Sequence, residues 1–148
     1  MDLTLPLEHQ TIERILPHRY PFLLVDRIVE LDIDKRIVGI KNISENEHFM
    51  SRDPDGRSAL PPTILTEAIA QVGAILILAK PDNRQRLPLF AGIKRVRYRK
   101  PVYAGDVVEI EAIVLRLRST MGLLKGIARV NGERVVDGTM AFALGDRQ

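Results

Sequence analysis

The sequence predicts an α+β fold in which one long helix is wrapped by a curved antiparallel sheet. Residues 63–80 (TILTEAIAQVGAILILAK) are apolar on almost every side, which is typical of a helix buried in a core. Four strand-like segments follow this helix and no second long helix separates them. Such strands must pair with one another and pack against the helix, which gives the α+β class.

The bulk composition indicates one globular domain over residues 1–148. A chain of 148 residues with 45% apolar side chains can build a sizeable core, and no linker, repeat or low-complexity run divides it. Cysteine is absent, which excludes disulfides and thiolate metal sites. The opening MDLTLPLEHQ contains acids and no apolar run, so we expect no signal peptide and a cytoplasmic location.

Before the long helix, the pattern predicts a short helix and a pair of strands. Residues 11–16 (TIERIL) indicate a helix that Pro17 ends. Residues 22–31 (FLLVDRIVEL) and 36–44 (RIVGIKNIS) indicate two strands, joined by turn residues at 32–35 (DIDK).

A loop, SRDPDGRSALPP at residues 51–62, leads into the long helix. Pro61 and Pro62 suit the first positions of the helix, where backbone N–H groups lack intrahelical partners, and Pro81 ends the helix. The remaining strands are predicted at 89–98, 107–118, 122–130 and 134–144. Although the helix is apolar, Glu67 and Gln71 interrupt it, and it is too short to span a bilayer comfortably, so we expect no membrane segment.

Three polar residues form a stripe on this apolar helix. Thr63, Glu67 and Gln71 are spaced four apart and therefore share one face. A carboxylate on a mostly buried helix is costly unless it is hydrogen-bonded, paired or used. The stripe either faces solvent or caps a neighbouring loop, or it places Glu67 in a pocket where it acts on a ligand.

Five segments, together covering most of the chain in order, resemble the FabZ-type 3-hydroxyacyl-[acyl-carrier-protein] dehydratases. They are LPHRYPFLLVDRI (16–28), KNISENEHF (41–49), LTEAIAQVG (65–73), FAGIKRVRYRKPVYAGD (90–106) and GIARVNGERVVDGTMAFAL (126–144). The resemblance implies a hotdog fold, a homodimer that assembles further as a trimer of dimers, and active sites at the dimer interface. It implies no metal and no bound cofactor.

The reaction that the resemblance implies is the syn-elimination of water from a 3-hydroxyacyl thioester. A base removes the C2 proton, an acid protonates the leaving hydroxyl and a backbone N–H polarises the thioester carbonyl. The acyl group would arrive on an acyl carrier protein or on coenzyme A.

The family's loop and helix motif aligns with this chain without a gap and assigns its site residues. The acidic residue of the helix falls on Glu67, but the catalytic histidine of the loop falls on Asp53. The glycine whose N–H contacts the thioester falls on Pro62, which has no N–H to donate. The resemblance further implies substrate contacts at Gly56, Pro62, Gln71 and Tyr98.

These replacements leave three functions open. In the first, the chain is a dehydratase with impaired activity. Asp53 and Glu67 then form an acid/base pair across the dimer interface, and repulsion between their like charges raises the pKa of one of the two carboxyls. Alternatively it is a hotdog acyl-thioesterase, or a non-catalytic paralogue that binds acyl groups or carrier proteins. In the last case Asp53 only caps its loop or pairs with Arg52 or Arg57, because Asp-Pro-Asp-Gly is an ordinary turn sequence.

The three histidines receive structural interpretations. His18 lies in a segment that the resemblance marks as structural, His9 is expected to be solvated, and His48 would reach the site only if the loop refolded. No pair of histidines has the spacing of metal ligands, so we expect no metal.

The basic run KRVRYRK at residues 94–100 alternates along a strand. It places Arg95, Arg97 and Arg99 on one face and Val96 and Tyr98 on the other. The resemblance favours docking of an acidic carrier protein at Arg95, Arg97, Arg99 and Lys100. Nucleic-acid binding is not expected, because no binding motif accompanies the charge and only 5% of residues are aromatic.

Overall fold

The computed structural model describes residues 3–146, which form two α-helices and nine strands in that part of the chain. The helices are α1 (His9–Ile15) and α2 (Pro62–Leu78), and a short 3-10 helix covers Pro81–Asn83. The strands are β1 (Arg27–Asp32), β2 (Arg36–Asn42), β3 (Ser51–Arg52), β4 (Ser58–Leu60), β5 (Arg86–Tyr98), β6 (Val102–Tyr103), β7 (Val107–Leu117), β8 (Met121–Val130) and β9 (Glu133–Asp146).

Six of the strands form one antiparallel sheet around α2. Their order is β1-β2-β7-β8-β9-β5, so β5 lies at an edge and pairs with β9. The three short strands form a separate sheet, ordered β3-β4-β6, beside the start of α2. One long helix packed against a large antiparallel sheet confirms the predicted α+β class and the hotdog arrangement.

Two glycines allow α2 and the sheet to approach closely. A Cβ atom at Gly73 of α2 would lie 2.5 Å from Leu124 Cδ1, and one at Gly126 of β8 would lie 2.2 Å from Ile69 Cγ2. Real carbon atoms do not approach this closely, so a larger residue would force the Leu124 or Ile69 side chain, or the packing of the helix on the sheet, to shift. Between these contacts, Gln71 and Val72 are almost fully buried.

The predicted elements are present, with two main differences. The first predicted strand begins only at Arg27, because the preceding loop bonds to a helix side chain instead of a strand, as described below. Strands β3, β4 and β6 were not predicted, since two or three residues are too few for alternation to be recognised. In the last strand, the apolar side chains on one face are all buried: Val136, Met140, Phe142 and Leu144.

Helix α2 begins as predicted, with Pro61 at the N-cap and Pro62 in the first helical position. Proline is compatible with this position because the first N–H groups of a helix have no partner within it. Within residues 3–146, no helix is both long and apolar enough to cross a membrane.

Candidate active site

The polar stripe of α2 passes from solvent into the core. Thr63 is exposed, Glu67 is partly buried and Gln71 is only 1% exposed. Both interpretations of the stripe therefore describe part of it. Gln71 holds a neighbouring loop, and Glu67 faces a cavity.

Gln71 uses both ends of its amide. Its Oε1 accepts a hydrogen bond from the backbone N–H of Leu24 at 2.8 Å. Its Nε2 donates to the carbonyl oxygen of Phe22 at 2.8 Å and to Glu67 Oε1 at 3.0 Å. A buried amide needs such partners, and here they also fix the carboxylate of Glu67.

His18 lies beside the same carboxylate. Its Nε2 is 3.6 Å from Glu67 Oε1, and the two side chains are 28% and 29% exposed. The other ring nitrogen, Nδ1, is buried without a hydrogen-bond partner among the described residues. Burial lowers the pKa of His18, although the negative charge of Glu67 acts in the opposite direction. The imidazole is therefore held in its neutral form near pH 7.

Glu67, Gln71 and His18 line one end of a mostly apolar cavity of about 270 Å³. Along α2 the cavity continues past Ala70 and Ala74 to Ile77, which follow Glu67 at helical spacing. The opposite wall is formed by the sheet, with Leu124, Met140 and Phe142 among its residues, and by residues 88–90 of β5. The shape suits an apolar chain whose polar end lies at Glu67.

A second cavity, of about 340 Å³, lies at the other end of the polar stripe. It brings together Asp53, Pro62 and Tyr98, three of the residues that the sequence assigned to the site. The hydroxyl of Tyr98 is 3.2 Å from Thr66 Oγ1, which in turn donates to the Pro62 carbonyl at 3.1 Å. Tyr98 is thereby tied to the first turn of α2.

The Asp53 carboxylate closes the tight turn of its own loop. Its Oδ1 accepts the backbone N–H groups of Asp55 at 3.0 Å and Arg57 at 2.8 Å. The Arg57 bond is the main reason that the pKa of this carboxyl lies below its usual value. Gly56 has φ of +79°, a left-handed conformation that glycine adopts without strain. The turn chemistry of Asp-Pro-Asp-Gly is thus present.

The structure divides the predicted site residues between the two cavities. Glu67 and Gln71 line the first, Asp53, Pro62 and Tyr98 line the second, and Gly56 lines neither. The sequence-based assignment missed His18 beside Glu67. Only the folded chain shows this contact, because no spacing rule connects a loop histidine with a carboxylate on a distant helix.

The predicted alternation of the basic strand agrees with the structure. Val96 packs against the core and Tyr98 bonds to α2, whereas the arginines are exposed. Arg99 forms an ion pair with Asp137, and Lys100 forms one with Glu133. In residues 3–146 no ion pair is recorded for Arg95 or Arg97, although Arg97 lies opposite Asp137 on β9 and its charge contributes to lowering the pKa of that carboxyl.

Across residues 3–146, no cluster of three or more His, Cys, Asp or Glu side chains is arranged to hold a metal ion. What the first cavity offers is one carboxyl group fixed in an apolar site. Such a group can give or take a proton next to a bound apolar chain.

Comparison with protein families matches residues 16–139 to the model described as the FabA-like domain. Two curated relatives are named 3-hydroxyacyl-[acyl-carrier-protein] dehydratase FabZ. The protein from Geobacillus thermodenitrificans is 48% identical over 141 residues, which are 95% of this chain and 97% of the relative. The protein from Bacillus velezensis is 46% identical over 140 residues, covering 95% and 99%.

Solved structures show the same fold at low sequence identity. The dehydratase heterocomplex ApeI:P from Xenorhabdus doucetiae matches with a TM-score of 0.75 and 20% identity, over 93% of this chain and 91% of the other. A mutant thioesterase from Pseudomonas aeruginosa matches with a TM-score of 0.72 and 13% identity, over 95% and 96%.

Proposed function

The chain belongs to the family of FabA-like domains and is closely similar to FabZ dehydratases, and on this basis we propose that it binds 3-hydroxyacyl thioesters and dehydrates them slowly. The main observation in support of this function is the position of Glu67. This carboxyl is the acidic group of an apolar cavity, and Gln71 holds it in place at 3.0 Å. A fixed acid beside an apolar chain is what protonation of a leaving hydroxyl requires.

In the proposed reaction, Glu67 protonates the C3 hydroxyl while a base takes the C2 proton. The C3–O bond breaks, the C2=C3 double bond forms and water leaves. Both contacts recorded to Glu67 in residues 3–146 reach Oε1, so Oε2 is the atom that transfers the proton.

We place the base on a second copy of the chain, because Asp53 and Glu67 line different cavities of one copy. Strand β5 is an edge strand with exposed apolar side chains, including Phe90 at 46% and Ile93 at 50%. A second β5 pairing with it in antiparallel fashion would extend the sheet and cover both edges.

Such a dimer would join the two cavities. Residues 88–90, in the first half of β5, line the cavity of Glu67, and Tyr98, at its end, lines the cavity of Asp53. Antiparallel pairing sets the first half of one strand against the last half of the other. Glu67 of one copy would thus approach Asp53, Pro62 and Tyr98 of the other. Further assembly as a trimer of dimers is part of the proposal and rests on the family resemblance.

Two features support a slow reaction. Asp53 is a weak base, because the N–H of Arg57 stabilises its charged form and lowers its pKa. Pro62 cannot donate an N–H to the thioester carbonyl. Loss of an effective base costs roughly 10²–10⁴ in rate, and loss of one carbonyl-polarising donor roughly 10²–10³.

The acyl group is proposed to arrive on an acidic acyl carrier protein that docks at the basic end of β5. Arg97 and Arg99 lie next to Tyr98, and Arg99 and Lys100 line the second cavity itself. A carrier bound there would be positioned to deliver its acyl chain into the joined cavities. Attraction of this kind weakens as salt screens the charges.

One observation favours the second candidate, a non-catalytic acyl-binding protein. The Asp53 carboxylate already serves as the closing element of its turn, which is the role expected if it has no chemistry. Hydrolysis by a thioesterase is the third alternative.

Product analysis separates the three. Purified protein is incubated with a series of 3-hydroxyacyl thioesters, and with the matching enoyl thioesters for the reverse reaction. The proposal predicts slow formation of the trans-enoyl thioester without free thiol. Release of free acid and thiol would identify a thioesterase. Binding without either product would establish the non-catalytic role and refute the proposed reaction.

A further inference from the structure

We propose that His18 is a positioning residue for Glu67, acting as a neutral imidazole that carries its proton on Nε2. The inference rests on the proposed function, in which Glu67 is the group that transfers a proton to the substrate. His18 lies on the loop before β1, and its Nε2 is close to the same oxygen, Oε1, to which Gln71 donates. It would share with Gln71 the task of holding Oε1.

The surroundings of the two ring nitrogens decide the tautomer. Nε2 is 3.6 Å from Glu67 Oε1, and an oxygen of a carboxylate only accepts hydrogen bonds. An unprotonated Nε2 would direct its lone pair at that oxygen, which is repulsive, whereas Nε2–H is attracted to it. Nδ1 is buried without a partner in the part of the chain that the structure describes, so protonating it would bury an unpaired donor.

The same surroundings argue against His18 as the missing base. A base must take up a proton, and the resulting imidazolium would carry N–H groups on both nitrogens. The Nδ1–H would have no acceptor, and burial already lowers the pKa of this imidazole. Glu67 is the titratable group recorded as acting on His18, and the ring of Phe22 lies 6.4 Å away. The geometry suits a fixed donor better than a proton acceptor.

The loop that carries His18 is itself attached to α2. Arg19 Nη1 donates to the carbonyl oxygens of Leu16 at 2.8 Å and His18 at 2.7 Å, which stiffens the backbone at His18. A few residues later, Gln71 binds Phe22 and Leu24. The loop that carries His18 therefore moves with α2. Because Gln71 and His18 both lie beside Oε1, Oε2 is left to face the substrate.

The test compares His18→Gln with His18→Asn. The Gln amide nitrogen reaches the position of Nε2 and can donate to Glu67, whereas the Asn amide nitrogen corresponds to Nδ1 and cannot. We expect His18→Gln to keep kcat within about threefold of the wild type. We expect His18→Asn to lower kcat roughly tenfold, because the polar contact to Glu67 is lost, with little change in KM. His9→Asn, at an exposed position, is the control.

A second readout does not depend on turnover. Nitrogen NMR of the imidazole in wild-type protein is expected to show His18 as the neutral Nε2–H tautomer at pH 7 to 8. A charged His18, or the Nδ1–H tautomer, would overturn the inference. Equal loss of activity in the Gln and Asn variants, or no loss in either, would also overturn it, while leaving the proposed dehydration intact. A wild type without turnover would instead refute the proposed function, and the NMR result would still decide the state of His18.

Discussion

The side chain of Gln71 links Glu67 to the backbone of an earlier loop. Its Nε2 lies 3.0 Å from Glu67 Oε1, and its Oε1 lies 2.8 Å from the backbone nitrogen of Leu24. Gln71, which interrupts the apolar sequence of α2, thus holds the earlier loop against the helix and also positions the carboxyl group of the candidate site. Substituting Gln71 should affect stability and turnover together.

Gln71→Met keeps the approximate shape of the side chain and removes every hydrogen bond. We expect the free energy of unfolding to fall by about 2–4 kcal/mol, since the backbone groups of Phe22 and Leu24 lose their partners in a buried place. Urea unfolding measures this change. Thr63→Val, on the exposed end of the same stripe, should change it by less than about 0.5 kcal/mol. An unchanged midpoint for Gln71→Met would contradict the role given to this amide.

Asp53→His restores the residue that the family pattern has at this position. We expect kcat for dehydration to rise at least about tenfold, because an imidazole with a pKa near 7 is a stronger base than a carboxylate whose pKa is lowered. The rise should be greatest above about pH 7, where the imidazole is mostly unprotonated. Steady-state rates between pH 5 and 9 provide the measurement.

Asp55→His is the matched control for that variant. Asp55 lies in the same exposed turn, but only its backbone N–H contacts Asp53. If both histidine variants raised kcat equally, the position of Asp53 would have no special relation to Glu67. If neither variant raised kcat, residue 53 would not occupy the position from which the family's catalytic histidine acts as a base.

Ile93→Lys tests the proposed dimer. A lysine at this half-exposed position of β5 would place a charge where the β5 strands of the two copies pair. We therefore expect the dimer to dissociate at low micromolar concentration. Sedimentation velocity measures the oligomeric state. Ile33→Lys, at a 40% exposed residue in the turn between β1 and β2, should leave the oligomeric state unchanged. Dissociation by both variants, or by neither, would argue against β5 as the interface.

Arg95→Glu tests carrier docking better than Arg97→Glu or Arg99→Glu. Arg99 is paired with Asp137 and Arg97 lies opposite Asp137 on β9, so reversal of either would set two negative charges together, whereas Arg95 lies opposite Thr139. For Arg95→Glu we expect affinity for an acidic acyl carrier protein to fall several-fold at low salt, and the difference to shrink as salt is added. Arg118→Glu makes the same charge change at the opposite end of the sheet and should have little effect. Equal losses in the two variants would indicate that only net charge matters.

Long periodic segments of the sequence predicted most of the fold. Helix α2 and strands β7 to β9 lie close to their expected positions, because burial imposes a regular pattern over ten or more residues. Residues 22–26 were wrongly predicted to belong to a strand. They are as apolar as a strand, but the backbone groups of Phe22 and Leu24 bond to the Gln71 side chain and not to a neighbouring strand. Local pattern does not show such long-range partners.

The candidate site was only partly predictable for the same reason. Glu67 and Gln71 were recognisable as polar residues on an apolar helix, and Asp53 as part of a turn. The proximity of His18 to Glu67 depends on how the loop before β1 folds across α2, which no short motif encodes. The division of the residues between two cavities likewise follows from the fold and not from their spacing.

The most direct test of the account is the effect of Glu67→Gln on a 3-hydroxyacyl thioester. Gln keeps the size of the side chain but can neither give nor take a proton. We predict that kcat falls by roughly 10²–10⁴, while the Kd for a stable 3-hydroxyacyl amide analogue changes less than about threefold. Glu109→Gln, at an exposed position of β7, should behave as the wild type. If Glu67→Gln retained the wild-type kcat, Glu67 would not be the proton-transferring group, and the proposed mechanism would be wrong.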